Sequence, residues 1–347
     1  MTEHNAGGPL EGSRTRALAE GALLAALAVV LVVAATLIPP LFILSFVAPA
    51  PLVVAVVRHG LRMGLLAGAV AGVLLAVFLG LQALPAGLTL VATGVGLGNG
   101  LRRRWSIEAV LGLGTLVSLG AILVSLWISL QVAGIDLIDM ILTSTQASYQ
   151  RSLELWQQIY ERMGTNVDIA PIEAELERVM ELLPLLVPGI LVGTAAVTSF
   201  ANYAAAAAPL RRLGNPVPEL PPFARWQLPP AAVYALVGVF VILRGVEQLG
   251  GQIPSTVLPA LMSTAWLLQV AVMVNGLATA YFFLRRWRLG KGFAVVLLVF
   301  GFLNPWFQAL FFWLGFLEPL LQVRVRVEQR ENRSGGDTNE GDPADGS

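Results

Sequence analysis

Cysteine is absent from this chain, lysine occurs once (Lys291), histidine occurs twice, and only 13% of the 347 residues carry a charge. Each shortage excludes something. Without cysteine there are no disulfides, thiolate metal sites or cysteine nucleophiles. His4 and His59 cannot build a metal cluster or a catalytic triad. The first lies in a polar lead, and a solvated turn beside Arg58 explains the second. Walker and H-E-x-x-H motifs are missing. Gly94, Gly96, Gly98 and Gly100 have the look of a nucleotide loop, but Asn99 stands where the third glycine belongs. The run also falls inside an apolar stretch, so close helix packing accounts for it. With a net charge of zero there is no global case for nucleic-acid binding.

What is present is apolar. Hydrophobic residues make up 56% of the sequence, and the mean hydropathy is +0.73. Soluble domains carry about 25% charged residues; half that charge cannot cover a water-facing surface. The charges are also clustered, leaving long stretches empty of them. The fold class expected is all-α, a polytopic transmembrane bundle of eight or nine spans with an extracytoplasmic amphipathic helical pair.

The expected spans are residues 17–38, 41–57, 63–82, 86–101, 109–133, 183–208, 229–248 and 256–284, followed by an apolar segment at 292–318. The first has 22 residues, which at 1.5 Å each reach roughly 33 Å, enough to cross the hydrocarbon core. It is too long for the h-region of a cleaved signal peptide. Residues 1–16 read as a disordered cytoplasmic lead, 17–133 as a five-span bundle, 134–182 as extracytoplasmic helices, 183–322 as C-terminal spans and 323–347 as a disordered tail. From residue 329 onward that tail has no large apolar residues.

Cations orient the bundle. The lead and the loops after spans two, four, six and eight hold 14 of the 22 Lys and Arg residues. These are Arg14, Arg16, Arg58, Arg62, Arg102, Arg103, Arg104, Arg211, Arg212, Arg225, Arg285, Arg286, Arg288 and Lys291. The positive-inside rule places the N-terminus in the cytoplasm of a bacterium, with the chain in its inner membrane. The 292–318 segment has two readings. A single span puts the tail outside, away from the side that Arg324, Arg326, Arg330 and Arg333 prefer. A re-entrant hairpin broken at Asn304-Pro305 returns it inside.

Residues 134–182 carry nine acids against three arginines, a net charge of about −6. Tyr149, Leu153, Trp156, Tyr160 and Met163 recur at helical spacing. A turn at Gly164-Thr165-Asn166 follows, and Asp168 can cap a second helix. The pair is expected to lie on the outer face of the bundle as a lid, or to serve as a gate or partner-docking surface.

No span contains aspartate. Glu20, Glu108, Glu247 and Glu318 lie at span edges, which weakens a proton-pump reading. No span carries two acids, a His pair or a Ser-Lys pair. No catalytic, cofactor-binding or metal-ligating residue is therefore assigned, and no cofactor is expected. The polar candidates for a cavity are Arg244, Glu247, Asn202, Gln269 and Asn275. Arg244 and Glu247 are three apart and can pair; snorkelling is the plainer explanation for them. The amides can equally bond helix to helix. Gly60, Gly64, Gly68 and Gly72 recur every fourth residue, and Ala22 and Ala26 (beside Gly21 and Ala25) form a smooth strip on span one. Such strips dock helices, within the bundle or against a partner.

Residues 18–27 (LAEGALLAAL), residues 56–81 (VVRHGLRMGLLAGAVAGVLLAVFLGL) and the LRRRWS closing span four resemble the YybS-like family of uncharacterised bacterial membrane proteins. The resemblance covers most of residues 15–325 and departs most at LGFLEPLLQVRVR, where Glu318 takes the acidic place. That family in turn looks distantly like the substrate-binding S components of energy-coupling-factor vitamin transporters. There a small-residue strip on the first helix docks a coupling partner, and Ala22 and Ala26 match it. The spans after 208 have no counterpart in S components.

Two functions follow as expectations. One is a solute-binding or transport component, with a cavity lined by groups such as Gln131, Asn202, Gln269 or Arg244. The other is a non-transporting scaffold or assembly factor acting through protein contacts. An intramembrane enzyme fits poorly. The expected partners are the lipid bilayer, a small molecule on the first reading, and another membrane protein reached through span one or the 134–182 segment. A cavity with several converging polar groups would separate the two functions.

Overall fold

The computed structural model describes residues 9–133, 137–162, 170–287, 289–327 and 329. Among them every regular element is helical. Eight helices are long and apolar enough to cross a membrane, or nine if one bent pair counts as a span. The chain is thus an all-α polytopic bundle. It divides into two compact units, Met1–Glu219 and Leu220–Ser347.

The first unit contains α1 (Pro9–Leu37), α2 (Ala50–His59), α3 (Leu61–Leu79), α4 (Leu84–Arg102), α5 (Ile107–Ala133), α6 (Leu137–Arg162) and α7 (Ala170–Arg212). Pro39-Pro40 stops α1 and opens a short 3-10 helix, Pro39–Phe46, because proline cannot donate to the preceding turn. Apolar helices gain little hydrophobic free energy by leaving lipid, so contact area must hold them. Small residues supply it. Gly64 lies against Val56 of α2 and Gly68 against Val91 of α4. Gly94 and Gly98 receive Leu52 and Val56 from α2, while Gly96 faces Val117 of α5. Gly60 has φ +92° and joins α2 to α3 without a break in packing; a side chain there would be strained. Hydroxyl pairs add bonds between helices: Thr93 to Ser118 at 2.9 Å, Thr89 to Ser125 at 3.1 Å, and Ser199 Oγ to the Leu111 carbonyl at 3.1 Å.

The structure differs from the sequence reading at several places. The lead is helical from Pro9, eight residues before the expected start of span one. The second amphipathic helix and span six are one continuous helix of 43 residues, about 65 Å long. No break occurs at 182, because Pro184, Pro188 and Pro209 sit inside α7 without ending it; membrane helices tolerate proline when neighbouring groups satisfy the freed carbonyls. His59 is not in a solvated turn. Its Nε2 lies 3.0 Å from Glu20 Oε2, and Arg58 pairs with the other oxygen of the same carboxylate. His4, the Gly164-Thr165-Asn166 turn, Asp168, Met163 and the tail from residue 330 lie outside the described residues, as do the side chains of Trp156 and Tyr160.

The second unit contains α8 (Pro230–Gln248), α9 (Leu258–Arg286), α10 (Lys291–Leu303) and α11 (Pro305–Leu321). α9 and α11 cross with their backbones in contact. A Cβ on Gly276 would collide with the Phe311 carbonyl, and one on Gly315 with the Val272 carbonyl. Between α10 and α11 the axis bends by 107° at Asn304. Asn304 caps α11, its side chain accepting from the Trp306 N–H at 3.1 Å. The bend brings the chain back. Residues 222–224, Arg285 and Lys291 line one groove at one end of the unit. Arg324, after α11, donates to the carbonyls of Ala224 and Trp226 at that same end. Residues 323–327, expected to be disordered, are helical. Arg324 is 2% exposed, and most of its guanidinium N–H groups are engaged in polar contacts inside the unit.

Candidate functional site

Gln322 ends α11 in the left-handed conformation, φ 49° and ψ 43°. A non-glycine residue enters that region at some cost, and here the turn sends the chain back over the end of α11. The Arg324 N–H then reaches Glu318 Oε1 at 3.3 Å. Its Nε donates to the same oxygen at 3.0 Å. Its Nη1 donates to the Ala224 carbonyl at 3.0 Å and to the Trp226 carbonyl at 2.8 Å. Its Nη2 donates to Asn275 Oδ1 at 2.9 Å. Asn275 also accepts from the Leu228 N–H at 3.3 Å and donates to the Gly315 carbonyl at 2.9 Å.

Glu318 is 4% exposed and Asn275 is 3% exposed. A buried ion pair persists only when further hydrogen bonds satisfy its remaining donors and lone pairs. Four of the five guanidinium N–H groups are accounted for above. Glu318 Oε2 is the exception on the other side: it is buried and has no hydrogen-bond partner among the described residues. A cavity of about 310 Å³ adjoins the pair. Gln227, Asn275, Glu318, Gln322 and Arg324 give it polar groups, and Pro229, Pro230, Pro319 and Val325 give it rigid apolar walls. The lining brings together a carboxylate with one unpartnered oxygen, a guanidinium with one N–H beyond those four contacts, and the amides of Gln227, Gln322 and Asn275.

The other sequence candidates lie elsewhere. Asn202 is fully buried in the first unit. Its amide donates to the Phe46 carbonyl at 2.7 Å and to the Thr198 carbonyl at 2.8 Å, tying α7 to the 3-10 helix. Gln269 is exposed on α9. Arg244 and Glu247 pair at 3.3 Å with their side chains 75% and 70% exposed. Gly60, Gly64 and Gly68 are buried between helices of their own unit, and Gly72 approaches Gly87 of α4. Ala22 and Ala26 are exposed, whereas Gly21, Ala25 and Ala28 on the same helix are buried. Among the candidates Asn275 borders this polar cavity, and Arg244 borders a separate apolar recess of about 310 Å³ between α8 and α11. Sequence reasoning misses Arg324 as a site residue by placing it in the tail, and reads Glu318 only as a span-edge acid that takes the family's acidic place. The available signal was the valine-arginine alternation from Val323 to Val327, which is too apolar for a disordered tail.

This geometry defines a multi-pass helical membrane protein with a buried polar pocket in its C-terminal unit. Residues 26–318 match the model of the predicted membrane protein family DUF2232, and the chain belongs to that family. It is 26% identical over 316 residues to the uncharacterised protein YybS of Bacillus subtilis (strain 168), covering 91% of this chain and 99% of the relative. No solved structure matches the chain.

Proposed function

We propose that this protein is a solute-binding component of a bacterial inner membrane. It would take a small polar molecule into the pocket formed by Glu318, Arg324 and Asn275. One observation carries the reading: Glu318, which has a buried carboxylate oxygen without a partner, borders a cavity that an arginine and three amides also line. An unsatisfied buried acceptor is costly; Asn202 Oδ1 is another, but Glu318 shares its cavity lining with an arginine and three amides. The ligand presents a donor to Glu318 Oε2 and an acceptor to the remaining N–H of Arg324. The distant resemblance to S components points the same way, and the exposed Ala22–Ala26 strip is available to a coupling partner. No catalytic role is proposed.

The proposed orientation puts the N-terminus in the cytoplasm. The C-terminus joins it there, because α10 and α11 turn back on themselves. They contain 13 and 17 residues, about 20 and 26 Å of helix, each short of a 30 Å core. Cysteine accessibility at Ser334 checks this: labelling of intact cells by an impermeant reagent would place the tail outside and overturn it.

The ligand reading is tested by purifying the full chain in mild detergent and identifying retained small molecules by mass spectrometry. The expected result is one polar molecule in near-stoichiometric amount, depleted at least several-fold by Glu318→Gln with the fold retained. Protein partners without any bound solute would overturn the reading in favour of a scaffold.

A further inference from the structure

The second unit holds another, larger recess of different chemistry. Between the segment before α8, the last turns of α9 and the outer face of α10 runs a groove of about 730 Å³. Its walls are almost entirely apolar, with Phe223, Leu277, Tyr281, Val295, Leu298 and Phe302 prominent. Two cations, Arg285 and Lys291, complete the lining, and no acid lies in it. Lys291 is exposed and Arg285 half-buried. Arg285 spends one donor on the Leu289 carbonyl at 2.9 Å, in the turn between α9 and α10 that Lys291 closes, and both cations line the groove. The described acids of this unit are committed elsewhere: Glu318 to Arg324, and Glu247 to Arg244 near the C-terminal end of α8.

An apolar trough with paired cations at one end suits a molecule with a chain and an anionic head. Volumes of 300 to 1,000 Å³ are typical of pockets for small ligands, and basic pockets between membrane helices recognise anionic headgroups. We propose that this groove binds an anionic glycerophospholipid. An acyl chain lies along Leu277, Val295 and Phe302, and the phosphate sits between Arg285 and Lys291. The site is separate from the polar pocket: the two lining sets share no residue. It therefore stands whether or not the pocket binds a solute.

The test uses the full chain in a neutral detergent, titrated with phosphatidylglycerol or phosphatidylcholine of matched acyl chains and read by native mass spectrometry. The expected preference for phosphatidylglycerol is about thirtyfold, the scale set by two surface cations near an anionic lipid. Arg285→Gln with Lys291→Gln should bring the two lipids to parity. Val299→Trp places a large ring in the groove from an exposed position, 53% accessible, and should lower retention of both lipids while helicity is unchanged. Equal retention of both lipids by the wild type overturns the proposal. So does a preference that survives the double substitution, or full competition by glycerol phosphate, which would assign the site to a free phosphate. Retention that appears only after removal of residues 329–347 would identify the chain's own tail as the occupant and also overturn it.

Discussion

Asn202 in the first unit and Asn275 in the second are both almost fully buried, at 0% and 3% exposed, yet their amides lead to different things. Asn202 donates to two main-chain carbonyls, Phe46 and Thr198, and lines neither the polar pocket nor the apolar groove of the second unit. It fixes where α7 stands against the 3-10 helix. Asn275 joins α9 to α11, to the segment before α8 and to the Arg324 guanidinium, and it borders a cavity. The same residue type, at the same depth of burial, serves helix placement in one unit and a polar site in the other. What differs is the company it keeps. The first unit is held mainly by glycine, alanine and hydroxyl contacts, and Asn202 Oδ1 stays buried there without a partner among the described residues. The second buries a charge pair whose unsatisfied oxygen, Glu318 Oε2, belongs to a residue that borders a polar cavity.

The contrast can be broken most forcefully at Arg324. Arg324→Leu strands Glu318 as an uncompensated buried charge, and a loss of about 3–5 kcal/mol is expected. The double variant Glu318→Leu with Arg324→Leu should recover a large part of that loss. Thermal unfolding in detergent reads both; a single variant no less stable than the double would mean the pair is not buried as described.

Gly315→Val comes next. The added side chain forces α11 away from the Val272 carbonyl, with an expected cost of about 1–3 kcal/mol. Gly72→Ala in the first unit is its counterpart, since no atom lies within 4 Å of the added methyl; its effect should stay within about 0.5 kcal/mol. Equal melting temperatures for the two variants would show that the backbone contact at Gly315 is not tight.

Asn202→Ala sharpens the comparison of the two asparagines. It removes a bond between helical elements and should cost about 0.6–2 kcal/mol, with the retained solute unchanged. Asn275→Ser should deplete the solute. Solute loss in the Asn202 variant would erase the distinction drawn here. The smallest effect belongs to Arg244→Ala, whose exposed pair with Glu247 is worth well under about 1 kcal/mol; neither stability nor retained solute should move measurably.

Much of the architecture was legible in the sequence, for identifiable reasons. Twenty-odd apolar residues ending in arginine read as a span whatever surrounds them, as Leu258–Arg286 shows. Glycines at every fourth position from Gly60 must share a face, because the helical repeat puts them there. The site was less legible. Asn275 stands out in the sequence, but so do Asn202, Gln269 and Arg244, which look alike in one dimension. Arg324 does not stand out, because nothing local to QVRVRV says that a carboxylate six residues back and two carbonyls about a hundred residues back will converge on it.

The chain by itself settled the class of solvent, the number of segments that could cross it, the segregation of cations to alternate loops and the small-residue rows. These follow from composition and period, which are local properties. Only the tertiary structure decided that α7 runs unbroken through its prolines, that the last apolar segment bends by 107°, and that a tail arginine closes a buried polar pocket. Those outcomes depend on which distant groups satisfy one another's hydrogen bonds, and that pairing is fixed when the helices pack.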